Sequence, residues 1–182
     1  LITTWKNSEY AGGYLEGIFL VMLSDNTENR KAFENVFVKA FEKNGVNAVS
    51  SLSVIPVGEE KNEDTVKAEA SKLGMNAIFV TNLISVGERA IYRPSPTGPS
   101  RGSPGISMFS YDYQNIYDYA YDPGYYKRQK YVKLESKLYE TATEKLIWSV
   151  SSETIEPQSI NDVIVKLSKA VMKNLKENQL IK

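Results

Sequence analysis

The chain has 182 residues, 42% of them hydrophobic and 24% charged, the size and composition of one globular domain that can bury a core without a disulfide or metal staple. Twenty-two basic residues balance 22 acidic ones, which argues against a dedicated nucleic-acid binder, since such affinity rests on cationic surface. Histidine and cysteine are both absent, which removes Ser-His-Asp and Cys-His catalysis, zinc sites built on those residues, iron–sulfur clusters and thiol redox chemistry.

Residues 1–15 are polar and mixed, with Gly12 and Gly13 together, and read as an extended arm. Ile18 to Leu23 is the longest apolar run. It is far short of the roughly 20 residues of a membrane span and fits a strand buried on both faces. A helix follows, because Phe33, Val36, Phe37, Ala40 and Phe41 recur on one face. Asn26 or Thr27 can cap its start, and Asn44-Gly45 supplies a left-handed stop. Val46 to Ile55 reads as a second strand ended by Pro56. A weaker helix over 63–73 carries Val66, Ala70 and Leu73, and Gly74 closes it before a third strand at Asn76 to Thr81. This alternation over residues 17–86 predicts a parallel sheet with right-handed crossovers.

The pattern then breaks. Residues 92–105 hold four of the seven prolines (Pro94, Pro96, Pro99 and Pro104), and residues 111–126 hold seven of the twelve tyrosines. Tyr131 to Tyr139 alternates apolar and charged side chains as a half-buried antiparallel strand. Leu146, Trp148 and Val150 alternate in a partner strand, so 131–151 forms a hairpin with Trp148 in the core. Ser159 with Asp162 resembles a capping box for an amphipathic helix over 159–178. The expectation is a single α/β domain of α+β character over 1–182. It is a two- or three-layer sandwich with a mixed sheet of about five strands, about three helices and one long insertion at 92–126.

That insertion is the main anomaly. Tyrosine offers a large apolar face and a polar tip at low entropy cost, so it suits contact surfaces. Tyr111, Tyr113, Tyr117, Tyr119, Tyr121, Tyr125 and Tyr126 are therefore candidates for contact with a partner, together with Trp5 in the polar arm. The alternative is that these side chains cover the sheet and lock the loop in place. Asp112, Asp118 and Asp122 are weak candidates for a hard cation, but their spacing is not that of an EF-hand loop. A phosphate site would need a Gly-rich turn after the first strand. Ser24-Asp25-Asn26-Thr27 has neither glycine nor lysine and reads as helix capping, so no nucleotide cofactor is expected. Arg30 and Glu34 can pair along the first helix.

The strand Ile18–Leu23, the turn Ser24-Asp25-Asn26, Arg30-x-x-Phe33-Glu34, Glu135-x-x-x-Tyr139, the hairpin Leu146-Ile147-Trp148-Ser149 and the last helix form a set. As a set they resemble an uncharacterised family of bacterial cell-envelope lipoproteins, whose fold is similar to the TolB N-terminal and curli-secretion-lipoprotein α/β domains. The resemblance implies a signal peptide and a lipid-bearing cysteine ahead of the mature domain, and a periplasm-facing, lipid-anchored location at a membrane such as the outer membrane. The chain begins at Leu1, which fits removal of such a leader. No catalytic residues come with the resemblance. The expected function is a non-catalytic envelope module binding a protein or glycan partner, with no cofactor and no nucleic acid. The alternatives are a structural subunit of a homo-oligomeric envelope assembly and a carboxylate-based glycan hydrolase. An exposed apolar strip on a helix or sheet edge would mark the homo-oligomer.

Overall fold

The computed structural model describes residues 1–56, 59, 62–93, 105, 107–121 and 124–182, except for the side chains of Gln114, Asp118, Tyr119, Ala120 and Tyr121. Six strands and four α-helices run through them: β1 Thr3–Lys6, β2 Gly17–Leu23, α1 Thr27–Lys43, β3 Asn47–Ser50, α2 Glu63–Lys72, β4 Ala77–Arg93, α3 Met108–Tyr121, β5 Tyr125–Glu140, β6 Leu146–Ile155 and α4 Ile160–Glu177. The strands form one mixed sheet in the order β1-β6-β5-β4-β2-β3. The chain divides into two compact units. One comprises Leu1–Gly87 with Tyr131–Lys182, the other Glu88–Lys130.

In the first unit β2 lies parallel to both β3 and β4. The crossover from β2 through α1 to β3 and the one from β3 through α2 back past β2 to β4 run in opposite directions along the sheet, and right-handed crossovers of opposite direction put their helices on opposite faces. The burial pattern agrees. Ile18, Leu20, Met22 and Phe79 pack with Phe33, Phe37 and Phe41 of α1 and Ile164, Leu167, Val171 and Leu175 of α4. Phe19, Val21 and Ile78, their neighbours in sequence, pack with Val66 and Ala70 of α2. The apolar run in β2 is continuous because both its faces are covered. Trp148 is fully buried, stacks toward Phe79 at 6.3 Å, and donates its indole N–H to Asn174 Oδ1 at 2.9 Å.

The predicted caps are in place. Asn26 Oδ1 accepts from Asn29 N at 2.9 Å, and Ser159 Oγ accepts from Asp162 N at 3.1 Å. Gly45 and Gly74 take φ of 74° and 67° just before β3 and β4, where a Cβ would be strained.

Three expectations are corrected. The arm is not only a polar spacer, because Thr3–Lys6 joins the sheet as an edge strand antiparallel to β6. The second strand stops at Ser50, and Ser51–Ser53 turns into a 3₁₀-helix. The cause is the buried Glu34 carboxylate, which accepts from Leu52 N at 3.1 Å and from the hydroxyls of Ser50 and Ser51, drawing the backbone out of the ladder. The insertion is not only a loop. The second unit contains the distal ends of β4 and β5 together with α3. Pro94, Pro96, Pro99 and Pro104 lie outside the described residues.

Candidate functional site

The Arg30–Glu34 pair carries the most concentrated polar chemistry in the first unit, and it is sealed. Both residues are buried. Arg30 Nε meets Glu34 Oε1 at 3.0 Å, and Arg30 Nη2 donates to Ser51 Oγ at 2.7 Å. Met22 N donates to the same Glu34 oxygen at 3.0 Å. The carboxylate thus ties α1 to β2 and to the end of β3. Its acceptor sites are occupied by the protein itself, so the Arg-x-x-Phe-Glu pattern serves the fold and leaves nothing for a substrate.

An open concavity lies elsewhere in the same unit. A groove of about 750 Å³ runs past the carboxyl end of β2, between α2 and the β5–β6 turn. In open α/β sheets this is the end where ligands are commonly received. Its floor is apolar, made by Val21, Val66, Ile78 and Val80, and Leu23 stands exposed at the rim. Its rim is acidic: among the described residues Asp25, Glu63, Glu140 and Glu144 stand around one cation, Lys67. Lys67 Nζ is held by Asp64 at 3.2 Å, Glu144 at 3.4 Å and Glu63 at 3.7 Å, which bridges α2 to the β5–β6 turn. The hydrogen bond that Lys67 donates to Asp64, with the carboxylates of Glu144 and Glu63 adding to it against some desolvation, raises the Lys67 pKa above the usual lysine value. Lys67 is therefore a fixed cation, and the rim keeps a surplus of negative charge. An apolar floor inside such a rim suits a positively charged occupant with an apolar body.

The tyrosine-rich segment forms a second surface, in the other unit. Phe109, Tyr113, Ile116 and Tyr117 recur at helical spacing along α3 and are 76%, 59%, 68% and 48% exposed. They form one apolar strip, begun by the stacked rings of Phe109 and Tyr113 at 5.8 Å. Tyr113 and Tyr117 thus share a face. Tyr111 lies on the opposite side of the helix and is half-buried. Tyr125 and Tyr126 are exposed near the start of β5, where Tyr126 meets Tyr92 edge-on at 5.7 Å. The side chains of Tyr119, Tyr121 and Asp118 and all of Asp122 lie outside the described residues. Asp112 is exposed, and among the described residues no three acidic side chains converge as a metal site. Trp5 is 47% exposed and pairs with Ser149, so it stands on the sheet face opposite Trp148.

Of the groove's charged residues, the sequence alone points only to Asp25, as part of the turn after the first strand. Lys67, Glu140 and Glu144 come from segments far apart in the chain and carry no local motif. The α3 strip did have a signal, the spacing of Phe109, Tyr113, Ile116 and Tyr117, which the neighbouring prolines obscured.

No family model matches the chain, and no curated protein matches it in sequence. Solved structures do match in shape. The PelC dodecamer from Paraburkholderia phytofirmans superposes with a TM-score of 0.52 at 9% identity, over 95% of this chain and 96% of that one. A point variant of the same dodecamer gives 0.52 at 8% identity, over 93% and 95% of the two chains. The lipoprotein GNA1162 from Neisseria meningitidis gives 0.46 at 11% identity, over 88% and 97%. At such identities the likeness is one of fold: the chain has the mixed α/β fold seen in PelC.

Proposed function

We propose that the chain is a non-catalytic, self-assembling module of the bacterial cell envelope. The observation that carries this reading is the apolar strip on α3. Four large side chains, each about half exposed or more, line one helix face. An exposed apolar strip of this kind marks a contact surface. The polar positions of α3 favour a protein over a membrane as its cover, because they carry Asp112 and Asp118 and no lysine or arginine, whereas helices that lie on anionic lipid are rich in cations. The fold likeness to a dodecameric protein supports a second copy of this chain as the cover. The envelope location rests on the family resemblance of the sequence motifs.

Sedimentation velocity on the whole chain tests the assembly. The expected mass is a multiple of 20.5 kDa, and Phe109→Ser with Ile116→Ser shifts it toward the monomer while circular dichroism stays unchanged. A chain that remains monomeric at high concentration overturns the reading. Intact mass and detergent partitioning of the product of the full-length native gene test the lipid anchor.

A further inference from the structure

Charge is divided unequally between the two units. Residues 88–130 hold six basic side chains against four acidic ones, and the rest of the chain holds sixteen against eighteen. Within the second unit the positive charge gathers beside exposed aromatics, at Tyr125-Tyr126-Lys127-Arg128. All four residues are exposed, and the Arg128 side chain is 87% accessible, with the Glu88 carboxylate at 3.9 Å. Within the first unit the negative charge gathers around an apolar floor, in the groove rimmed by Asp25, Glu63, Glu140 and Glu144. One surface is aromatic and basic, the other apolar and acidic.

We infer that the groove is the acceptor for the Tyr125–Arg128 segment of a second copy of this chain. Side chains alternate along β5, so each strand face carries one tyrosine and, two residues on, one cation; the ring of the inserted face lies on the apolar floor and its cation faces the acidic rim. This rests on the assembly reading above and adds its direction. The donor and acceptor surfaces are different, so the contact is heterologous, and each copy has one of each. Such contacts propagate from copy to copy and close into rings when the rotation allows. Opposite charge fixes the direction and speeds encounter, and Lys67, neutralised by three carboxylates of its own copy, does not repel the incoming cation.

Charge reversal tests this. The acceptor variant carries Asp25→Lys and Glu140→Lys, which leaves the partners of Lys67 in place. The donor variant carries Lys127→Glu and Arg128→Glu. Alone, each sets like charges against each other at every contact, and each is expected to weaken assembly about tenfold or more. Mixed in equal amounts, each variant's groove meets the other's segment with opposite charge, so assembly returns. Sedimentation velocity of the wild type, each variant and the mixture at one concentration reads all of this, with circular dichroism confirming the folds. If either variant alone assembles as the wild type does, the inference is overturned and the assembly reading stands. If both fall apart and the mixture does not recover, the pairing is also overturned, and the groove belongs to a basic segment of another protein. A monomeric wild type overturns both. Should a reversed variant not fold, Lys127→Gln with Arg128→Gln carries the test, and assembly undiminished by it overturns the inference.

Discussion

Glu34 is a charge placed where water cannot reach it, and its neighbours make that tolerable. Two backbone N–H groups, two serine hydroxyls and the Arg30 guanidinium all point at one carboxylate. A buried pair of this kind adds little over an apolar replacement, but breaking it strands a charge. Glu34→Ala is therefore expected to cost about 3–5 kcal/mol, because Arg30 stays buried without its counter-ion. Urea titration reads this as a lower midpoint at unchanged slope. The double change Arg30→Met with Glu34→Leu should recover part of the loss, since it removes both charges together. A cost for Glu34→Ala within the range of an ordinary surface substitution, about 0.5 kcal/mol, contradicts the burial of the pair. Lys67 obeys the opposite rule, since it is a surface cation held by surface acids. Its pKa is raised by the hydrogen bond it donates to Asp64 and then by Glu144 and Glu63. A group whose folded pKa exceeds its unfolded one stabilises fully below the unfolded value, near 10.5, and that contribution is lost as pH rises through the folded pKa. An NMR titration of the Lys67 ammonium should place its midpoint above 10.5, and Asp64→Asn should bring it down toward that value. A Lys67 midpoint that ignores Asp64 removes the cause.

The elements differ in how plainly they are written. α1 and α4 are legible because each needs a wide apolar stripe to cover one sheet face, and a stripe at period 3.6 shows in the sequence. The caps at Asn26 and Ser159 and the stops at Gly45 and Gly74 are legible because each answers a local backbone requirement. β1 is not. An edge strand with one neighbour and all but one residue exposed leaves no alternation to find, and what defines it is the ladder to Thr3–Lys6 offered by β6. β3 is shorter than its apolar run suggests because a carboxylate 16 residues upstream takes the hydroxyl of Ser50. α3 hides for another reason. Its strip faces outward, so it lacks the core partner that makes a helix pattern persuasive, and tyrosine-rich sequence next to prolines reads as loop. The groove is the least legible feature, because its rim is assembled from the β2–α1 turn, α2 and the β5–β6 region. Only the tertiary fold brings those acids together.

At the scale of the molecule, the two units carry different burdens. Every residue of both hydrophobic clusters belongs to the unit of Leu1–Gly87 with Tyr131–Lys182. Gly87 and Tyr131, where that unit breaks off and resumes, lie side by side on neighbouring strands, and a Cβ at Gly87 would meet the Tyr131 hydroxyl at 2.8 Å. Farther along the same strands Thr81 and Ser136 share a buried hydrogen bond of 2.8 Å, so the positions fall in β5 as they rise in β4, as in an antiparallel pair. Such a pair can be closed by a two-residue turn. Replacing residues 88–130 by Asn-Gly should therefore give a chain that folds cooperatively, with a urea midpoint close to that of the parent, because no cluster residue has been removed. Backbone amide NMR would show the first unit's dispersed spectrum. If the shortened chain lacks cooperative unfolding, residues 88–130 are needed to hold the sheet, and the contact role assigned to them is secondary. If it folds, the same sample separates the burdens. It lacks both α3 and the Tyr125–Arg128 segment while keeping the acidic groove, so it should sediment as a monomer where the parent assembles. A shortened chain that folds and still assembles would place the contact between copies on the sheet edges or the helical faces of the first unit, away from α3.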